Sequence, residues 1–141
     1  MNAKNKSVII LRGVSGSGKT SFAKMLQDLH PNVVSVSADQ FFVTKNGDYA
    51  FDSAKLGSAH AWCFLEFQMA VDRESQLIVV DNTNTCPSEF GRYKEDAEKK
   101  GYSVFFIVME NRHGKASVHG VPERTLLKQE ERILDSLVLS P

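Results

Sequence analysis

The stretch Gly13-Val14-Ser15-Gly16-Ser17-Gly18-Lys19-Thr20 follows the apolar run Val8-Ile9-Ile10-Leu11 after the single interruption of Arg12. A short run so rich in valine and isoleucine reads as a strand buried on both faces, the kind found in parallel sheets. Beyond the glycines, Phe22, Met25, Leu26 and Leu29 fall at i, i+3, i+4 and i+7, an amphipathic helix that His30-Pro31 ends. Strand, glycine-rich turn and helix in immediate succession leave few architectures, because the turn has to lie where a strand's C-terminal end meets a helix N-terminus.

The rest of the chain repeats the alternation. Val33–Val36, Leu77–Val80 and Val104–Met109 read as further strands buried on both faces. A second helix is predicted from about Asp52 to Val71, with Trp62, Leu65 and Met69 on one stripe and Trp62, Cys63 and Met69 in the core. A third opens near Pro87, repeats Phe90, Tyr93 and Ala97, and closes on Lys99, Lys100 and Gly101. A last helix begins near Pro122 and carries Leu126, Ile133, Leu134 and Leu137, and Leu137–Ser140 reads either as its end or as a short edge strand. The expectation is a three-layer α/β/α sandwich around a mostly parallel sheet of four to five strands, one domain over residues 1–141. A content of 42% hydrophobic and 24% charged residues is that of a globular chain with one core and argues against disorder.

The glycine stretch matches G-x-x-x-x-G-K-[ST], the P-loop or Walker A pattern. Its glycines turn successive N–H groups inward to make an anion nest with a helix N-terminus behind it. On this reading Gly13, Ser15, Gly16, Ser17, Gly18 and Lys19 hold the phosphates of a nucleoside triphosphate, ATP, while the Thr20 hydroxyl ligates Mg²⁺. Regulatory GTPases require D-x-x-G and [NT]-K-x-D. Here Asp81-Asn82-Thr83-Asn84 lacks the glycine, and Thr44-Lys45-Asn46-Gly47 lacks the final aspartate. An ABC-type signature is absent as well, and the length is short of a complete AAA motor.

A kinase fits better. Asp39 stands just past the second strand, twenty residues after Lys19, at the sheet edge that faces the ligand crevice. A carboxylate there can take the proton of an attacking hydroxyl. Gly13–Thr20, Ser37-Ala38-Asp39-Gln40-Phe41, Val79-Val80-Asp81-Asn82-Thr83-Asn84 and His119-Gly120-Val121-Pro122 together resemble the phage-type 5′-polynucleotide kinase family, including small kinase-like ATP-binding proteins of phages and bacteria and the kinase domain of ubiquitin-ligase-binding proteins. The resemblance implies that Asp39 is the general base, that Lys19 and Thr20 contact phosphate and Mg²⁺, and that Asp81, Asn82 and Asn84 shape the acceptor pocket. Polynucleotide kinases carry an arginine three residues beyond the aspartate to grip the acceptor phosphate; this chain has Phe42. The acceptor therefore stays open between a nucleic-acid 5′-hydroxyl, a nucleoside and another small alcohol, and a nucleotide-binding interaction module is the alternative to a kinase.

Between Met109 and Pro122 a basic segment, lid-like at about 110–121, carries Arg112, His113, Lys115 and His119, of which Arg112 suits closure over phosphates and Lys115 is a further phosphate contact. Asn46-Gly47 between apolar arms predicts a hairpin, which either covers the acceptor site beside Asp39 or only closes the second crossover. His60 reads first as a packing residue. Seventeen basic residues balance seventeen acidic ones, so bulk charge marks neither a nucleic-acid nor a membrane binder. Cys63 and Cys86 lack disulfide or zinc spacing, which suits a reducing cytoplasm, and nothing near the start is long enough for a signal peptide or a membrane span.

Overall fold

A computed structural model describes residues 5–110 and 120–138. Four strands, β1 (Ser7–Arg12), β2 (Val34–Val36), β3 (Leu77–Asp81) and β4 (Ser103–Val108), form one sheet in the order β2-β3-β1-β4. Every pairing is parallel, with Ser7 opposite both Leu77 and Ser103. Helices α1 (Lys19–Leu29), α2 (Leu56–Asp72), α3 (Pro87–Lys99) and α4 (Glu123–Val138) complete the α/β architecture. Among the described residues no helix is long and apolar enough to cross a membrane.

The period-two alternation of strand side chains divides the core in two. Val8, Ile10, Ile78 and Val80 point to the side where α2 and α3 bring Ala59, Cys63, Phe67, Phe90, Tyr93 and Ala97. Leu11 and Val79 point the other way, onto Ala23 of α1 with Phe22 and Leu26 beside it. The central strands are thus covered on both faces, as their continuous apolar runs require.

Helix α3 forms where the sequence places it. Proline occupies its first turn, and the Glu89 carboxylate there accepts from Thr85 N at 2.6 Å and from the Thr85 hydroxyl. Two other expectations need correction. The buried stripe of α2 is Ala59, Cys63, Phe67, Ala70 and Val71, whereas Leu65 and Met69 are exposed. That stripe, with Phe67 at its centre, packs into the core on the sheet face that α3 also covers, while Leu65 and Met69 lie on the opposite side of the helix. Strand β4 is not covered on both faces: it is an edge strand among the described residues, and Phe105 keeps 55% of its surface exposed. Met25 and Leu29 of α1 likewise face outward. Leu137 and Val138 are helical, which settles the end of α4 against an edge strand at those two positions.

Arg12 is the least anticipated structural residue. At the end of β1 its buried guanidinium donates to Asn84 O (2.8 Å), Thr85 O (2.9 Å) and Ser136 Oγ (2.6 Å), and it lies 4.8 Å from the Phe90 ring centroid. One side chain therefore ties β1 to the segment after β3, to α3 and to α4. Arg12→Ala strands two buried carbonyls, so denaturant unfolding is expected to show a loss of about 2–4 kcal/mol.

Candidate active site

The strand order puts β1 and β3 side by side, while the helices that follow them, α1 and α3, lie on opposite faces of the sheet. Their C-terminal ends open a crevice where the chain departs in two directions, the usual ligand position in an open α/β sheet. The glycine stretch fills one side of it.

Within the loop, Gly13 N donates to Thr83 O (3.0 Å) and Ser17 N to Val14 O (3.1 Å), while Gly16 and Gly18 adopt φ of +86° and +101°. Gly18 is the N-cap of α1 and no side chain caps that terminus, so its first N–H groups remain directed at the loop. Gly13 is needed for space: a Cβ there would stand 2.5 Å from Ser17 Oγ and 2.7 Å from Met109 O. Ser17 Oγ is buried with no hydrogen-bond partner among the described residues.

Lys19 is buried and arches back over the loop, its Nζ donating to Gly13 O (3.0 Å) and Val14 O (2.9 Å). Burial lowers its pKa, and the charges of Asp81 and then Asp39 oppose that shift. Those opposing charges place both carboxylates within electrostatic reach of the ammonium.

Thr20 Oγ1 donates to Asp81 Oδ2 at 2.8 Å. Asp81, expected at the acceptor pocket, is buried at the end of β3 and bonded there to Thr20. Parallel register is the cause, since it sets Leu11 opposite Asp81 and so brings the end of β3 beside the loop.

Asp39 is exposed on a 3₁₀ turn (Ala38–Phe42) directly after β2, its backbone N–H held by Ser37 Oγ at 3.2 Å. Asn82 Oδ1 accepts from Ala38 N (2.9 Å), which links the mouth of β3 to that turn. Tyr49 Oη donates to Asp39 Oδ1 at 3.1 Å. Phe42 explains the missing arginine: it is buried, with ring centroids of Phe41 and Phe51 at 5.3 and 5.1 Å, so this backbone aims the position into the core.

A polar cavity of about 300 Å³ lies between α2, the β3 mouth and α3, lined by His60, Asn82, Thr83, Asn84, Ser88, Glu89 and Arg92. Asn84 borders it, yet its Nδ2 is spent on Leu11 O (2.8 Å) and Asn82 O (3.2 Å) at a left-handed φ of +46°. These bonds hold the turn after β3. His60 lines the cavity instead of merely packing, and burial lowers its pKa, so the imidazole is neutral at pH 7. Arg92, not singled out in the sequence, stacks 4.7 Å from the Phe64 ring centroid. From α4, Gln129 Oε1 accepts from Ser15 N at 2.9 Å. Arg112, His113, Lys115 and His119 lie outside the described residues. No group of three His, Cys, Asp or Glu side chains with metal-binding geometry occurs among the described residues.

A family model described as an AAA domain (AAA_33) matches residues 8–131. The chain belongs to that family. It is also similar to human NEDD4-binding protein 2, with 31% identity over 131 residues that cover 88% of this chain and 7% of that protein. This chain thus spans a small fraction of that relative's length. Among solved structures, a chain of the Pnkp1/Rnl/Hen1 RNA repair complex superposes with a TM-score of 0.73 at 16% identity, covering 97% of this chain and 47% of the other. The Mycobacterium tuberculosis APS kinase CysC, solved with AMPPNP and APS, superposes with a TM-score of 0.52 at 15% identity over 99% of this chain and 75% of its own. The AAA_33 domain of this chain therefore has the P-loop kinase-like fold.

Proposed function

We propose that this AAA_33 chain binds Mg·ATP on the 13–20 loop and moves the γ-phosphoryl to a hydroxyl acceptor seated in the polar cavity beside Asn82. The observation that carries the reading is that Lys19 and the Thr20–Asp81 pair stand at the ends of β1 and β3, while Asp39, at the end of neighbouring β2, is close enough for its charge to act on the Lys19 ammonium. The loop residues suit a triphosphate. Gly13 leaves room no other residue would, the α1 N-terminus is uncapped, and Ser17 Oγ is a buried group without a partner among the described residues. Thr20 and Asp81 offer the hard oxygen ligands Mg²⁺ prefers, and the ion supplies charge neutralisation at the phosphates.

Asp39 accepts the proton of the acceptor hydroxyl as its oxygen attacks, and Lys19 offsets charge on the transferring group. On this reading Arg112 or Lys115 closes over the phosphates, Arg112 being favoured for its guanidinium fork. Similarity to the RNA repair complex supports a nucleic-acid 5′-hydroxyl. A cavity near 300 Å³ lined by one arginine and one glutamate favours a second reading, a nucleoside or other small neutral alcohol.

The test offers γ-labelled ATP with 5′-hydroxyl DNA, 5′-hydroxyl RNA and a nucleoside mixture in parallel. Label on an acceptor supports the kinase. If that acceptor is a polynucleotide, its KM rises steeply between 50 and 200 mM salt, whereas a nucleoside's changes little. ATP binding without label on any acceptor favours a nucleotide-binding interaction module.

A further inference from the structure

The segment after Asp39 folds back on it. Val43 and Tyr49 form an antiparallel bridge, closed by Thr44 N to Asp48 O (2.8 Å) and Ala50 N to Phe42 O (2.8 Å). The Tyr49 ring is fixed from two sides, edge-on to Phe42 at 6.2 Å and stacked on Phe51 at 6.4 Å with an interplanar angle of 13°. Buried Phe42 thereby anchors the small hairpin, and the hairpin delivers one polar atom, Tyr49 Oη, to Asp39 Oδ1. Burial and then the Asp39 charge push the phenol pKa up to about 12, so at neutral pH it is a donor.

An acceptor about to be phosphorylated has to make the same bond, a hydroxyl donating to the Asp39 carboxylate. We propose that Tyr49 is a built-in stand-in for the acceptor hydroxyl, holding Asp39 until a bound acceptor displaces it and so keeping water from being activated there. This rests on the reading of Asp39 as the base. Displacement favours a true acceptor over water for a plain reason. A ligand that fills the cavity lined by His60 and Asn82, whose Oδ1 holds the Asp39 turn at Ala38 N, brings binding energy to break the Tyr49–Asp39 bond, whereas a single water offers only one hydrogen bond in exchange for another.

Tyr49→Phe keeps the ring and its stacking and removes only the hydroxyl. Hydrolysis of Mg·ATP with no acceptor present is expected to rise about tenfold, the scale of one hydrogen bond to a charged group that is partly open to water. ATP KM stays unchanged, and the rise disappears in the double variant with Asp39→Asn. Hydrolysis that stays at the wild-type rate or falls, or a rise that persists in the double variant, overturns the proposal. Label transfer by Asp39→Asn alone separates the two readings. If transfer continues at the wild-type rate, the assignment of the base has failed; if it is lost while Tyr49→Phe changes nothing, only the stand-in role has failed. A thermal midpoint for Tyr49→Phe within a few degrees of wild type ties the rate change to the lost hydroxyl.

Discussion

Asp39→Asn is expected to bind ATP with an affinity within about twofold of wild type and to transfer label about 10²–10⁴ times more slowly, the range that general-base catalysis supplies. Asparagine matches aspartate in shape, and two of the contacts that hold the turn do not involve the side chain of residue 39. Ser37 Oγ accepts from the residue 39 backbone, and Asn82 Oδ1 accepts from Ala38 N. The amide oxygen can still accept from Tyr49, so the hairpin should keep its place. What the variant loses is the ability to take a proton. Calorimetric titration with ATP alongside label transfer separates the two effects, and equal losses in binding and turnover would remove Asp39 from the role of base.

The complementary result concerns Lys19→Ala. Its Nζ lies on the carbonyls of Gly13 and Val14, poised over the loop and not drawn into an outside ion pair among the described residues. A cation already buried at this point has had much of its desolvation cost met by folding, so its attraction to phosphate is strong. Removing it should weaken ATP binding by at least about a hundredfold. Stability should change little, because the two carbonyls losing a donor are offset by relief of a buried charge. Calorimetry and thermal unfolding on one preparation check both halves, and wild-type affinity in this variant would rule out the 13–20 loop as the triphosphate site. Together the variants make a crossed pattern, binding lost at Lys19 and turnover alone lost at Asp39, that a misfolded loop cannot imitate.

Much of this arrangement was legible before any coordinates. Val8–Leu11, the glycine loop and the helix after it are local events, each decided by residues within a few positions of one another, and α3 announced itself through Pro87 and the Phe90, Tyr93, Ala97 stripe. Asp39 was singled out because the end of a strand beside a glycine-rich loop faces the ligand crevice of an open α/β sheet. The stripe of α2 misled because hydropathy ranks Leu65 and Met69 above Ala59 and Ala70, while the face that packs into the core is the opposite one, which carries Phe67.

Other features depend on partners far away in the chain. Asp81 meets Thr20 across 61 residues, Arg12 reaches Ser136 across 124, and Gln129 reaches Ser15 across 114. No local pattern encodes such contacts. The sequence alone determined that a phosphate-binding turn would stand between a buried strand and a helix, because glycine freedom and hydrophobic periodicity act within one or two turns of chain. Only the tertiary structure decided that Asp81 bonds Thr20, that Phe42 belongs to the core and that a tyrosine rests on Asp39. Strand register and helix packing bring those groups together, and both are settled by the whole chain at once.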